Sequence, residues 1–306
     1  MNVLLKKAYI SVKGPLFLFV KKEVPMMALA YFNGKIVGVD DPVIPIDERG
    51  HQFGDGVYEV IRFYQGKPFM MKEHLDRLYM SAKAIKLEIG KEPDELEALI
   101  LQLVEKSGLA QADLYMQATR GIAPRNHLFP KCPASISMTV KPARELSESM
   151  RREGVKVAVL PDERWQNCYI KSLNLLPNIL AKQEAFEQGC FEAVLVRDGR
   201  ITEGSSTNVF IVKDGKIQTT PLSNRILAGI TRLAVKEAAE ELRVPFVEKD
   251  FTPEELYQAD EVFLTSTTSE VLAVTVADGR EIGNGGRVLL LVGYTNAFNK
   301  KRNKVS

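Results

Sequence analysis

Residues 193–216 read AVLVRDGRITEGSSTNVFIVKDGK. An apolar run at 193–197 ends in Asp198-Gly199, and a second at 209–212 runs into Asp214-Gly215. Asp-Gly provides two neighbouring residues that accept positive φ, which the tight turn of a β-hairpin requires. The stretch therefore predicts consecutive hairpins bracketing 200–213. Downstream, 231–243 has apolar residues at the helical period and 261–265 is a short buried strand. Upstream, 155–160 reads as a strand and 175–188 as a helix closed by Gly189. Hairpins mixed with helices, rather than regular strand–helix alternation, predict an α+β fold and not a doubly wound parallel sheet.

The amino-terminal half repeats the mixture. Strands at 29–32 and 36–39 flank Asn33-Gly34, and 57–64, rich in β-branched and aromatic residues, turns through Gln65-Gly66-Lys67 into a strand at 68–71. Helices follow at 72–87, with apolar positions 75, 78, 82 and 85, and at 93–106, stopped by Gly108. Strands at 114–119 and 134–140 flank a loop, 120–133, that holds three prolines. The polar stretch 141–153 divides the chain into an N-terminal domain at 27–143, an interdomain linker at 144–153 and a C-terminal domain at 154–306. Residues 1–26 place lysines around an apolar run too short for a signal-peptide core or a membrane span. With Met26-Met27 directly before the first strand, this segment is expected to lie outside the fold, ahead of the true start.

The 306 residues are 45% hydrophobic and 26% charged, an ordinary globular composition with room for two domains. A net charge of +2 gives no support to nucleic acid or an acidic membrane as the main partner. Cys132, Cys168 and Cys190 form no C-x-x-C pair, and the three histidines are scattered. Neither a disulfide framework nor a zinc site is expected, and a reducing cytoplasm is the expected location.

Lys171 stands in Cys168-Tyr169-Ile170-Lys171-Ser172-Leu173, with apolar neighbours on both sides. Partial desolvation lowers a lysine's pKa and suits it to covalent amine chemistry, the ordinary alternative being an exposed lysine at a strand end. Glu203 lies in the polar run 202–208 between two apolar strands, where a carboxylate can pair with a pyridinium nitrogen; a β-bulge and turn cluster is the alternative. Gly229-Ile230-Thr231 opens a helix, so the backbone of Ile230 and Thr231 offers a phosphate site, or else Thr231 simply caps the helix. Residues 265–269 place five hydroxyls in a row, and Arg77 on the helix after the second hairpin offers a bidentate cation. On the 57–64 strand, Tyr58, Val60, Arg62 and Tyr64 share a face with polar tips, as a pocket wall would, while Val57, Glu59, Ile61 and Phe63 form the core face. Arg125 and His127 are two cationic donors on the 120–133 loop, where plain solvent exposure is the alternative.

Taken in order, Gly54-Asp55-Gly56-Val57-Tyr58-Glu59, the helix Glu73-His74-Leu75-Asp76-Arg77-Leu78, Ile170-Lys171-Ser172-Leu173-Asn174, the run 202–208, Gly229-Ile230-Thr231 and 265–270 resemble the fold-type IV pyridoxal-phosphate aminotransferases. Within that family they are most similar to the D-amino acid (D-alanine) aminotransferases, and the similarity spans roughly 28–286. The resemblance implies a two-domain enzyme with pyridoxal 5'-phosphate between a smaller N-terminal and a larger C-terminal domain. It implies that Lys171 is the Schiff-base lysine and the acid/base of the proton shift, that Glu203 faces the ring nitrogen, and that Leu227 packs behind the ring. Arg77, Ile230, Thr231, Ser266 and Thr267 would form the phosphate cup. Tyr58 and Val60 would contact substrate, and Arg125 and His127 would reach across a homodimer to trap its carboxylate. The substrates implied are D-alanine and other D-amino acids, with α-ketoglutarate or pyruvate as acceptor. Residues 1–26 have no counterpart in the family, and 287–294 are apolar where it has a polar helix.

Branched-chain L-aminotransferases and aminodeoxychorismate lyases share the fold. The former usually have glycine where this chain has Val60, and lack the Arg-x-His loop. A phosphate-ligand binding protein without catalysis is the reading from a different class. Colour separates it, because only the enzyme holds a visible, borohydride-sensitive cofactor.

Overall fold

The computed structural model describes residues 28–283, so the readings for 1–26 and 287–294 lie outside the described residues. The first half of the chain forms β1 (Leu29–Phe32), β2 (Lys35–Val37), α1 (Arg49–Phe53), β3 (Gly56–Tyr64), β4 (Lys67–Pro68), α2 (Met71–Ala84), α3 (Pro93–Ser107), β5 (Ala112–Thr119) and β6 (Ser135–Pro142). The six strands make one antiparallel sheet in the order β2-β1-β6-β5-β3-β4. Ile61 and Phe63 of β3 are fully buried in one cluster with Leu78 of α2 and Ile100 of α3. Each such side chain contributes about 1.5–3 kcal/mol by leaving water. Helix α3 is signposted at both ends: Glu92 and Glu95 form a reciprocal capping box, and Gly108 closes it in the left-handed conformation.

One expectation needs correction. The strand placed at 68–71 is only the two-residue β4, because Met70 turns at φ 54° and Met71 already begins α2. The stretch read as linker carries some regular structure: Lys141 and Pro142 complete β6, and α4 (Glu148–Glu153) follows, Ser147 Oγ accepting the Met150 N–H at 3.2 Å. Ser147 and Gly154 are ordinary start and stop signals for that helix.

The second half forms β7 (Val155–Pro161), α5 (Leu176–Glu187), β8 (Glu192–Arg197), β9 (Arg200–Gly204), β10 (Asn208–Lys213), β11 (Lys216–Thr219), α6 (Ile230–Glu241), β12 (Phe246–Glu248), α7 (Pro253–Tyr257), β13 (Glu261–Ser266), β14 (Glu270–Ala277) and β15 (Arg280–Glu281). Both Asp-Gly hairpins form. β8 pairs with β9 across Asp198-Gly199 (φ 53° and 71°), and β10 with β11 across Asp214-Gly215 (φ 49° and 71°). The order is β12-β11-β10-β13-β14-β7-β8-β9, with β15 added on β14. β9 and β10 have four strands between them in that order, yet Ser205–Thr207 alone joins them, so the sheet must curl round on itself. Val157, Val194, Val209, Leu264 and Leu272 fill the inside of the curl. Phe210 and Phe263 stack at 4.6 Å on the outer face beneath α6, and α5 covers another part of that face. Burial on both faces explains why β8 and β10 read as unbroken apolar runs. β7 pairs in parallel with β8 across α5 and with β14, and β11 with β12, so this sheet is mixed within the two-domain α+β architecture. No helix among the described residues is long and apolar enough to cross a membrane.

Candidate active site

The Lys171 segment has no regular structure of its own and is strapped to β3. Tyr58 N–H donates to Lys171 O and Leu173 N–H to Gly56 O, both at 3.0 Å, while Lys171 N–H donates to Ser81 Oγ of α2 at 3.1 Å. These bonds place Lys171 Nζ 4.3 Å from the centre of the Tyr58 ring, a cation on an aromatic face. Among the described residues no hydrogen bond engages this amine.

The opposite face of β3 fixes Arg77. Glu59, fully buried, accepts Arg77 Nε at 2.7 Å and Nη2 at 2.8 Å, and His74 Nδ1 at 2.8 Å. Burial pushes the Glu59 carboxyl up, but the guanidinium and the imidazole outweigh it and hold the group well below the usual carboxylate range. Burial pushes His74 down against the pull of Glu59, so the neutral ring donates its Nδ1–H. Arg77 Nη1 also donates to Ala228 O at 2.9 Å. Of the five guanidinium N–H groups, two have no partner among the described residues, and Arg77 lines a cavity of about 380 Å³.

Glu203 ends β9 at the same cavity. Its oxygens accept Leu227 N–H at 3.1 and 3.0 Å, Asn208 Nδ2 at 3.0 Å and Arg164 Nη1 at 2.5 Å. Burial pushes this carboxyl up to about 7 against the opposing pull of Arg164. Arg164 in turn is gripped by Asp162, which also accepts from Arg197, so charge alternates along the row Arg197–Asp162–Arg164–Glu203. Sequence reasoning misses Arg164, which sits in a stretch without regular structure and whose partner Glu203 is distant along the chain.

The third wall is the start of α6. Gly229 has φ −67° and ψ 137°, open to any residue, but a Cβ there would lie 2.0 Å from Asn208 Oδ1, and glycine is needed for that approach. No side chain caps the helix. Thr231 lies within the first turn rather than at the cap, leaving the N–H groups of Ile230 and Thr231 without helical partners. Nearby, Ser266 Oγ accepts the Ser269 N–H at 3.0 Å and keeps its own proton to donate, while the buried Thr265 Oγ1 has no partner among the described residues.

Tyr58, Arg77, Lys171, Glu203 and Leu227 thus line one cavity together with Ile230, Thr231, Ser266 and Thr267. Val60 is half-buried on β3 and does not reach it. Arg125 and His127 are exposed and stay outside it: Arg125 stacks 4.3 Å over the Phe53 ring, and His127 meets the same ring edge-on at 5.7 Å. Of the pocket face expected on β3, Arg62 and Tyr64 serve instead as a seam to the second sheet, bonding Thr268 O and Glu270. No cluster of metal-binding side chains occurs among the described residues.

The model of the amino-transferase class IV family matches residues 56–277. The D-alanine aminotransferase of Bacillus licheniformis is 44% identical over 259 residues, 83% of this chain and 90% of that protein. In three dimensions the branched-chain amino acid aminotransferase of Escherichia coli superposes with a TM-score of 0.83 at 28% identity, covering 89% of this chain and 93% of that one. The branched-chain aminotransferase of Thermoproteus uzoniensis, solved with norvaline, gives a TM-score of 0.81 at 28% identity over 90% and 95% of the two chains. A match spanning the Lys171 strap, the Glu203 carboxylate and the uncapped α6 start identifies the chain as a member of the class IV aminotransferases.

Proposed function

We propose that this enzyme is a pyridoxal-phosphate-dependent D-amino acid aminotransferase, acting as a homodimer in a reducing cytoplasm and passing the amino group of D-alanine and related D-amino acids to α-ketoglutarate or pyruvate. The single observation behind the cofactor assignment is that one cavity joins an unbonded lysine amine, a buried carboxylate held by three donors and the uncapped start of a helix. The partnerless Thr265 hydroxyl and the two spare N–H groups of Arg77 suit the phosphate of such a group. Bound there, the cofactor supplies an electron sink for the charge left when a substrate Cα loses its proton.

The chain's own residues do the rest. Arg77, the N–H groups of Ile230 and Thr231, and the hydroxyls of Ser266 and Thr267 anchor the phosphate. Glu203 holds a proton at the ring nitrogen, and Leu227, whose N–H fixes that carboxylate, flanks the ring. Lys171 Nζ attaches the cofactor and moves the proton at the substrate Cα, with Tyr58 beneath the amine. The three cysteines are unpaired, in keeping with a reducing compartment.

The stereochemical part of the reading follows from one fixed direction. With Lys171 on one side of the ring, the Cα–H bond must point that way, and only the carboxylate and the side chain remain to be placed. Exchanging those two inverts the reactive hand. A trap built from Tyr58 with the partner copy's equivalents of Arg125 and His127 puts the carboxylate where D-substrates present it. The 44% identity to a D-alanine enzyme, against 28% to each of two branched-chain ones, points the same way. The test compares D- and L-alanine, and D- and L-leucine, as donors. D-alanine is expected to be preferred by orders of magnitude, and L-leucine as the best donor would hand the assignment to the branched-chain class.

A dimer with shared sites makes a second prediction. Lys171→Ala and Arg125→Ala homodimers should both be nearly inactive, yet mixing and reassociating equal amounts should restore about a quarter of wild-type activity, because half the dimers are mixed and one of their two sites is intact. Persistent inactivity of the mixture, or full activity in a monomer, would remove the shared site.

A further inference from the structure

The hairpin between β13 and β14 holds Ser266 and Thr267, and besides its internal bond from Ser269 N–H to Ser266 Oγ it is bonded by groups from outside it. Ser266 pairs with Glu270 across three turn residues, and Glu270 sits at φ 56°, a left-handed conformation unusual outside glycine. The restraint comes from elsewhere in the molecule. Tyr64 Oη donates to Glu270 Oε1 at 2.7 Å, and Arg151 Nη1 donates to Glu270 Oε2 at 3.0 Å. Arg62, buried at the seam, donates from Nη2 to Thr268 O at 3.3 Å while gripping Asp113 and Arg144 O.

Arg62 and Tyr64 lie on β3, and Glu59 of the same strand fixes Arg77 from the other face. One nine-residue strand therefore sets both the guanidinium and the hydroxyl hairpin that line the phosphate end of the cavity. Charge-assisted hydrogen bonds weaken steeply with misalignment, so a phosphate gripped by two separate elements needs their spacing held.

We propose that Arg62 and Tyr64 are positioning residues that hold the β13–β14 hairpin at the spacing phosphate recognition requires, making cofactor affinity depend on the seam between the two sheets. The inference rests on the pyridoxal-phosphate reading above. Its test titrates cofactor-free protein with pyridoxal 5'-phosphate and, separately, with pyridoxal, which lacks the phosphate, following the visible absorbance of each. Tyr64→Phe removes one hydroxyl and keeps the ring packed on Phe69. Glu270→Gly accepts the left-handed backbone freely but loses both restraining bonds. Tyr64→Phe is expected to bind pyridoxal phosphate about tenfold more weakly, the effect of one hydrogen bond to a charged group, and Glu270→Gly more weakly still, with pyridoxal affinity unchanged in both.

Equal weakening toward both compounds would mean a general structural role and would overturn the inference. So would wild-type affinity for pyridoxal phosphate in both variants. If the wild-type protein bound neither compound, the cofactor reading itself would fall and take this inference with it.

Discussion

Lys171→Ala should abolish the visible absorbance of the holoenzyme and lower transamination by ~10⁴-fold or more, because covalent attachment and proton transfer are lost together. Among the described residues no other cation lining the cavity can substitute. Arg77 is committed to Glu59 and Ala228 O, and Arg164 to Asp162 and Glu203. Lys182 also lines the cavity, but its amine bonds Phe191 O and lies 3.4 Å from Glu192. Folding should survive, since the Lys171 segment is strapped to β3 and Ser81 by backbone atoms that alanine keeps. Thermal melting checks folding, and borohydride treatment followed by peptide mapping checks the attachment point. A borohydride-sensitive band persisting in the variant would move the covalent role to another lysine.

Glu203→Gln should retain cofactor and lower turnover by ~10²–10³-fold, the size of effect seen when a preorganised electrostatic partner is removed. Glutamine preserves the shape and can still accept from Leu227 and Arg164, but it cannot hold a proton at a ring nitrogen. A second readout is independent of turnover. In the folded cofactor-free protein the carboxyl is raised from 4.5 to about 7, so the folded state binds this proton more tightly than the unfolded one. The resulting stability is fully present below pH 4.5 and is lost as pH rises through about 7. Melting the cofactor-free wild type across that window should show a fall that Glu203→Gln lacks. Unchanged turnover in the variant would remove the electron-sink role, and identical pH slopes would remove the buried-carboxyl account.

Much of the molecule is legible in order along the chain. Asp198-Gly199 and Asp214-Gly215 predict their hairpins because two successive residues at positive φ leave few other structures open. Lys171 stands out because a charged group amid apolar neighbours needs a reason to be there, and Glu203 because it lies in a polar run that interrupts two apolar strands. The misses have different physical origins. α1 spans five residues, too short for a period to show. β14 follows the hydroxyl run, which is the turn into that strand. Alternation puts Glu59 on the core face and names no partner, although a buried carboxylate demands one; His74 and Arg77, three apart on α2, are the answer. Arg164 has no local signal, because its role exists only once β9 brings Glu203 beside it. Arg62 reads as pocket lining because alternation gives the face of a strand, not what that face meets.

The division of labour on β3 also bears on how such an enzyme diversifies. Tyr58 lies under the Lys171 amine, Glu59 fixes Arg77, and Arg62 and Tyr64 both hold the β13–β14 hairpin, so a change at any of these four positions of one strand disturbs the cavity. The loop bearing Arg125 and His127 is tied back by Arg49 reaching Asn126 O, by Arg120 over the Phe129 ring and by contacts with Phe53, and Arg125 and His127 themselves are exposed. Drift there leaves the core and the cavity lining intact. If this loop meets substrate as proposed, new acids are most readily recruited by remodelling it while β3 stays fixed.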